Sequence, residues 1–389
     1  MKAALTGFYN YFFNAATILR SKRLAWIDYA KGLSIFLVVY HHSFLGLITS
    51  GLQVNTWLIN TNMIVYSFRV PLFFILSGVF IQQGLKKRGL AKYIGYRSRI
   101  LLYPYLLWVF MEVSAGYFVQ AYANFPWSPI AYLAAFYNPK LLGPLWYLIA
   151  LFNASAVYAF LYTTLHMKGA SHLILGIALY LLSPALSFNS MLQEFSIYYL
   201  YLAMGTMLSS VVLNHENDRL FGSPKVFLIL LPFFVISQIY FIHHEGMDPF
   251  FMEPDKSGFT WIWLLQKDWV ILRYFLIVMI GSMLMVNICF FLQKADKLRI
   301  LRVIGFHSLY IYLLHMVLVV ALRNGFIHLF HYTNSTVILF SQIVFACAGG
   351  VMIYNVCKHR HLNFLFEYDM NDLKKLLHIS PGVPQIQKA

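Results

Sequence analysis

Residues 26–53 read WIDYAKGLSIFLVVYHHSFLGLITSGLQ, and this stretch decides the fold class. From Leu33 to Gln53 it contains no Asp, Glu, Lys or Arg, and that length meets the ~20 apolar residues a helix needs to cross a bilayer. Similar runs follow at 62–84, 101–122, 144–165, 170–187, 195–213, 225–243, 268–292, 302–323 and 334–357. The expected fold is therefore an all-α integral membrane protein of about ten transmembrane helices. Composition agrees, since 60% of the 389 residues are hydrophobic and 11% charged, against about 25% charged in soluble domains. There is no room for a second soluble domain.

A net charge of +15 would suggest nucleic acid in a soluble protein. Here the distribution matters more than the total. With ten spans, 22 of the 29 Lys and Arg fall on the N-terminal side and four on the other. Basic residues collect in cytoplasmic loops, so both termini are expected in the cytoplasm, with no nucleic-acid partner. Residues 1–23 end in a basic cluster, the reverse of a cleavable signal, and read as an interfacial segment. Residues 24–357 form the transmembrane domain and 358–389 a cytoplasmic tail. Cys289, Cys347 and Cys357 sit in apolar runs, giving neither a disulfide framework nor metal-ligand spacing.

The opening stretch also carries the best candidate site. Ionisable groups inside a span are costly, so each invites a functional reading. At ~100° and ~1.5 Å per residue, Lys31 and His42 fall within about 20° of each other and ~16 Å apart along the helix, with Asp28 about 40° from His42. His41 points about 100° away. Such a stripe can lead from an anionic donor at the cytoplasmic surface to a buried general base, His42. A histidine hydrogen-bonded between helices and a plain Asp28–Lys31 pair are the structural alternatives.

Other polar groups could converge on that point. Arg69 enters the second span, Glu112 lies within the third, Arg273 near the outer end of the eighth, and His315 in the ninth beside Ser308 and Tyr312 on one face. Arg69 could stabilise an oxyanion, with Glu112 as counter-ion. The basic run containing Lys87, Arg88, Lys92, Arg97 and Arg99 reads as a membrane anchor or as a clamp for the phosphates of coenzyme A. The loop at 244–267 combines Glu245, Asp248, Glu253 and Asp255 with Trp261 and Trp263, a composition that can bind sugar or simply face solvent. No Gly-rich phosphate loop, zinc-protease or serine-esterase motif is present.

Five segments together resemble the acyltransferase-3 family of integral membrane acyltransferases, particularly its fucose 4-O-acetylase-like branch. They are Trp26 to His42, Arg69 to Gly78, Arg97-x-Arg99-x-x-x-x-Pro104-Tyr105, Pro144-Leu-Trp146-Tyr147, and Ile304 to His315. The resemblance implies an acyl-CoA donor on the cytoplasmic side, acyl delivery to a hydroxyl at or beyond the membrane, and a catalytic histidine in the first helix. The family's basic residue, separated from that histidine by ten residues, corresponds to Lys31. Many relatives carry Arg there, which puts a bidentate role for Lys31 in question.

The expected activity is O-acyl transfer, with acetyl-CoA as donor and no metal, to a cell-envelope or exported saccharide at a bacterial inner membrane. His42, Lys31, Asp28, Arg69 and Glu112 form the expected catalytic set. His41, Trp146, Arg273, Ser308, Tyr312 and His315 are expected around the substrate cavity. A transporter of acyl groups or lipid-linked saccharides is the rival reading, because intramembrane His, Arg and Glu also mark proton relays. A non-catalytic membrane scaffold is a third, and it leaves the buried charges unexplained.

Overall fold

The computed structural model describes residues 11–21, 23–118, 131–244 and 261–368, the side chains of 118 and 261–268 excepted. Among the described residues the regular structure is entirely helical, and ten helices are long and apolar enough to cross a membrane. They are Ala25–Thr49, Thr56–Arg88, Leu90–Tyr117, Pro139–Thr164, Gly169–Leu186, Ser190–Val212, Pro224–His244, Trp269–Ala295, Ser308–Leu329 and Ser335–His359. Each expected span has its counterpart. The second span, at 33 residues, outruns its apolar core at both ends.

The first span lies at the centre. It packs against the second, eighth, ninth and tenth spans and against the short helix Ile300–Phe306. Its crossing with that short helix depends on two glycines. A Cβ on Gly32 would run into the Leu301 carbonyl, and a Cβ on Gly305 into that of Asp28. Small residues let helix backbones approach in lipid, where dispersion and hydrogen bonds rather than hydrophobicity hold helices together. Two hydrogen bonds tie the same end of the first span to the eighth span and the loop after it: Tyr29 Oη donates to the Lys297 carbonyl at 2.6 Å, and the Trp26 backbone N–H to Gln293 Oε1 at 2.8 Å. The seventh span is peripheral, with Leu228, Ile229, Phe233, Ile236 and Ile239 exposed, as an apolar helix facing lipid should be.

The second span is not continuous. It runs as Thr56–Tyr66, Arg69–Gly78 and Ile81–Arg88. Pro71 accounts for the first break: it has no N–H to bond the Ser67 carbonyl, and its ring crowds that oxygen. The released carbonyl accepts instead from Tyr274 Oη at 3.3 Å, which meets the rule that irregular backbone at membrane depth must be satisfied within the protein. The third span is distorted as well, with a π-helical turn at Ser98–Leu102 just before Pro104. Such bulges are frequent at functional sites.

Ahead of the first span, the helix Ala15–Arg20 buries Ala15 and Ile18 against the protein, and the Asn355 amide donates to the Phe12 carbonyl at 2.8 Å. The leading segment is thus docked on the tenth span. Residues 1–10, and Glu245, Asp248, Glu253 and Asp255, lie outside the described residues. Trp261 and Trp263 belong to the helix Trp261–Ala295, and their side chains are likewise outside that description.

Candidate functional site

A cavity of about 260 Å³ runs along the first span. Lys31 lines it toward the side where that span begins, called here the near side. His41, His42 and Arg69 line its middle, and Lys140, Trp146 and Glu194 line it toward the far side. Lys31 and His42 are eleven residues apart, so the cavity follows the helix for ~16 Å. Lys31 and His42 thus border one cavity. Ser308, Tyr312 and Trp146 also line the cavity, whereas Arg273, His315 and Glu112 do not.

The two adjacent histidines differ in their bonding rather than in their access. His41, although offset around the helix, reaches the same cavity. Its Nδ1 is 3.0 Å from Asn62 Oδ1, and an amide oxygen only accepts, so Nδ1 carries the proton. His42 forms no hydrogen bond among the described residues. Its ring sits between those of His41 and His315, with both centroids 5.1 Å away. His315 is fully buried, and its Nδ1–H donates to the Tyr312 carbonyl at 2.6 Å, which assigns its tautomer. His42 alone of the three therefore has both ring nitrogens uncommitted to protein.

Arg69 begins the middle segment of the broken span and is 6% exposed. Its guanidinium carbon stands 4.5 Å from the centroid of the Tyr66 ring, and Nη1 has no hydrogen-bond partner among the described residues. It is within Coulombic reach of His41 and His42. The expected Arg69–Glu112 ion pair does not form. Glu112 sits on the third span beside Tyr312, and its Oε1 is buried without a hydrogen-bond partner among the described residues. The break at Ser67 and Phe68 turns Arg69 into the cavity wall, and Glu112 is not part of that wall. Arg273 instead donates to Tyr240 Oη on the seventh span, while its neighbour Tyr274 faces the cavity.

Asp28 also departs from the expected stripe. It is 1% exposed and pairs with Arg23 at 3.2 Å rather than with Lys31. The close crossing of Gly305 over the Asp28 backbone turns this position toward the Ile300–Phe306 helix and away from the cavity. Of the expected phosphate clamp, Lys87 and Lys92 are exposed and none of the five lines the cavity. Arg88 stacks on Tyr96, and Arg99 bonds Glu367 and the Tyr368 carbonyl. Arg97 is the nearest to the site. It donates to Ser155 Oγ at 3.1 Å, and its charge acts on both Lys31 and Tyr147 in the cavity wall.

Two charged wall residues fall outside the expected set. Lys140 Nζ lies 2.6 Å from Glu194 Oε1, with Glu194 2% exposed. Read along the chain, Lys140 is a loop cation and Glu194 sits just outside the sixth apolar run, so neither counts as intramembrane. The signal available was Pro144-Leu-Trp146-Tyr147, which opens the fourth span directly after Lys140. A 3₁₀ turn over Pro139–Leu145, with Gly143 at φ 72°, carries Lys140 back over the cavity, and Tyr312 Oη donates to the Pro144 carbonyl to hold it there.

Residues 24–355 match the family of the Acyltransferase domain, acyltransferase-3. Among curated proteins, the nodulation protein NolL of Sinorhizobium fredii is 29% identical over 123 residues, and that of Mesorhizobium japonicum 26% over 125. Each alignment covers 32% of this chain and 32% of the relative, so the chain spans about a third of the length of the curated relatives it matches. No solved structure matches.

Proposed function

The chain belongs to the Acyltransferase domain family, and on that premise we propose that it is a membrane acyltransferase that moves an acetyl group from acetyl-CoA to a hydroxyl of an envelope or exported saccharide. In this reading the near side is the cytoplasm of a bacterial inner membrane and carries both termini, supported by the surplus of Lys and Arg there. The motif resemblance to sugar O-acetylases supports the saccharide acceptor.

One observation carries the reading. A single cavity joins Lys31 on the near side to His42 and Arg69 at depth and continues to the far side. The donor's anionic end sits beside Lys31, with Arg97 behind it, and its thin pantetheine arm follows the wall of the first span to His42. The acceptor approaches from the far side.

His42 takes the proton from the acceptor hydroxyl as its oxygen attacks the thioester carbonyl carbon. Arg69 stabilises the negative charge that develops on the carbonyl oxygen. The tetrahedral intermediate then collapses, the C–S bond breaks, and the thiolate leaves with the proton from the His42 imidazolium. His41, fixed by Asn62, and His315, fixed by the Tyr312 carbonyl, hold the His42 ring between them. Ser308 and Tyr312 shape the wall. Asp28 acts at one remove by holding Arg23, and Glu112 and Arg273 support the surrounding helices.

The experiment is transfer by the purified protein in nanodiscs, with radiolabelled acetyl-CoA and a panel of methyl glycosides. Labelled glycoside and free CoA in equal amounts are the expected products. A transport reading has one observation in its favour, the broken second span. It becomes the better account if no glycoside is labelled while proteoliposomes take up substrate against a gradient.

A further inference from the structure

We propose that His315 is the positioning residue of the base: its Nε2 accepts the N–H of the His42 imidazole once the donor fills the cavity, which leaves the other His42 nitrogen bare toward the acceptor hydroxyl. The inference rests on the acyl-transfer reading above and adds the group that decides which nitrogen of His42 takes the proton.

Two complementary deficits meet here. His315 is fully buried, and its Nδ1–H is committed to the Tyr312 carbonyl at 2.6 Å. A second proton, on Nε2, would make a buried charge with no acidic partner among the described residues. Nε2 is therefore a bare acceptor. It is buried without a hydrogen-bond partner among the described residues, and a buried acceptor left unpaired is costly. His42 has the opposite deficit. A neutral imidazole always carries one N–H, and neither nitrogen of His42 forms a hydrogen bond among the described residues. The two ring centroids are 5.1 Å apart with the planes inclined at 52°. Rings this close allow facing nitrogens to meet at about 3 Å, a hydrogen-bond distance.

His41 also stands 5.1 Å from His42, but its position differs. Its Nδ1 faces Asn62, and its ring lines the cavity, where water or substrate can reach a bare Nε2. The buried Nε2 of His315 has no such recourse.

The pairing sets the proton path. The acceptor oxygen attacks the thioester carbonyl carbon while its proton passes to the bare nitrogen of His42. The opposite N–H stays on His42 and keeps its bond to His315, whose lone pair now faces an imidazolium. A hydrogen bond from a charged donor is stronger than one between neutral groups. His315 therefore stabilises the transition state more than the resting enzyme. When the C–S bond breaks, the proton returns from His42 to the leaving thiolate, and the pair is reset.

Two substitutions separate this role from packing. His315→Phe removes the acceptor and keeps a ring against His42, whereas His315→Gln loses the ring and keeps an acceptor near the place of Nε2. Both are assayed in nanodiscs with radiolabelled acetyl-CoA and a methyl glycoside. His315→Phe is expected to lower kcat about tenfold to a hundredfold, the size of a lost charged hydrogen bond, with both KM values within about twofold of wild type. His315→Gln should lose less. A packing role predicts the reverse order, and that result overturns the proposal, as does an equal loss in both variants. If the wild type transfers no acetyl group, the acyl-transfer reading fails by itself, and the pair is judged by nitrogen NMR of isotope-labelled histidines with CoA present. A correlation across an N–H···N bond between His42 and His315, absent in His315→Phe, supports the pairing; its absence in the wild type overturns it.

Discussion

Arg69→Met separates the catalytic account of the buried arginine from a structural one, because the two predict opposite patterns. Arg69 is 6% exposed, pairs with no acidic side chain among the described residues, and leaves Nη1 without a hydrogen-bond partner. A buried cation without a counter-ion is destabilising, and an apolar residue of similar length relieves that cost. Against this stands the loss of the Tyr66 cation–π contact at 4.5 Å, about 0.5–2 kcal/mol. The balance leaves the fold of Arg69→Met as stable as the wild type to within about 1 kcal/mol, or more stable. Turnover should fall much further. Removing one donor from a developing oxyanion costs roughly 2.7–4 kcal/mol, or about 10²–10³ in rate. The assay pairs thermal unfolding in detergent with acetyl transfer in nanodiscs. A variant that loses stability and activity in proportion would refute the reasoning and make Arg69 a structural residue.

Three further outcomes follow from the geometry. Lys31→Met should raise the donor KM at least about fivefold, whereas Asp28→Asn should leave it within about twofold, because only Lys31 faces the cavity; two-substrate kinetics on both variants check this. Gly305→Val would press a side chain into the Asp28 carbonyl and should destabilise by more than the about 1–3 kcal/mol typical of overpacking, seen as loss of the monodisperse peak in detergent gel filtration. Gly95→Val, where a Cβ meets nothing within 4 Å, is its control. Pro71→Ala restores an N–H that can reclaim the Ser67 carbonyl and straighten the break, so transfer should drop about tenfold or more as Arg69 shifts, with the protein still folded by thermal unfolding.

What could be read from the sequence divides along a physical line. The ten spans were legible because lipid demands long apolar runs, and the Lys31–His42 alignment because helical periodicity needs no knowledge of neighbours. Properties set by contact between helices were not. Asp28 shares the helical face by angle but is drawn toward Arg23 and the Gly305 crossing. Glu112 and Arg69 look like counter-ions until the break before Pro71 gives them different surroundings. Pro71 itself was the available sign of that break. Glu194 escaped notice because a carboxylate at the edge of an apolar run resembles a loop residue until the turn at Gly143 brings Lys140 across to it.

The central claim is that His42 is the base for acyl transfer, with its neighbour His41 serving to position it. Acetyl content of the host's surface polysaccharide should be measured in cells expressing wild type, His42→Ala or His41→Ala at equal membrane abundance. The account predicts that acetylation is abolished in His42→Ala, in line with a loss of about 10²–10⁴ for a missing general base, and reduced but retained in His41→Ala. Full acetylation in the His42→Ala cells would contradict it.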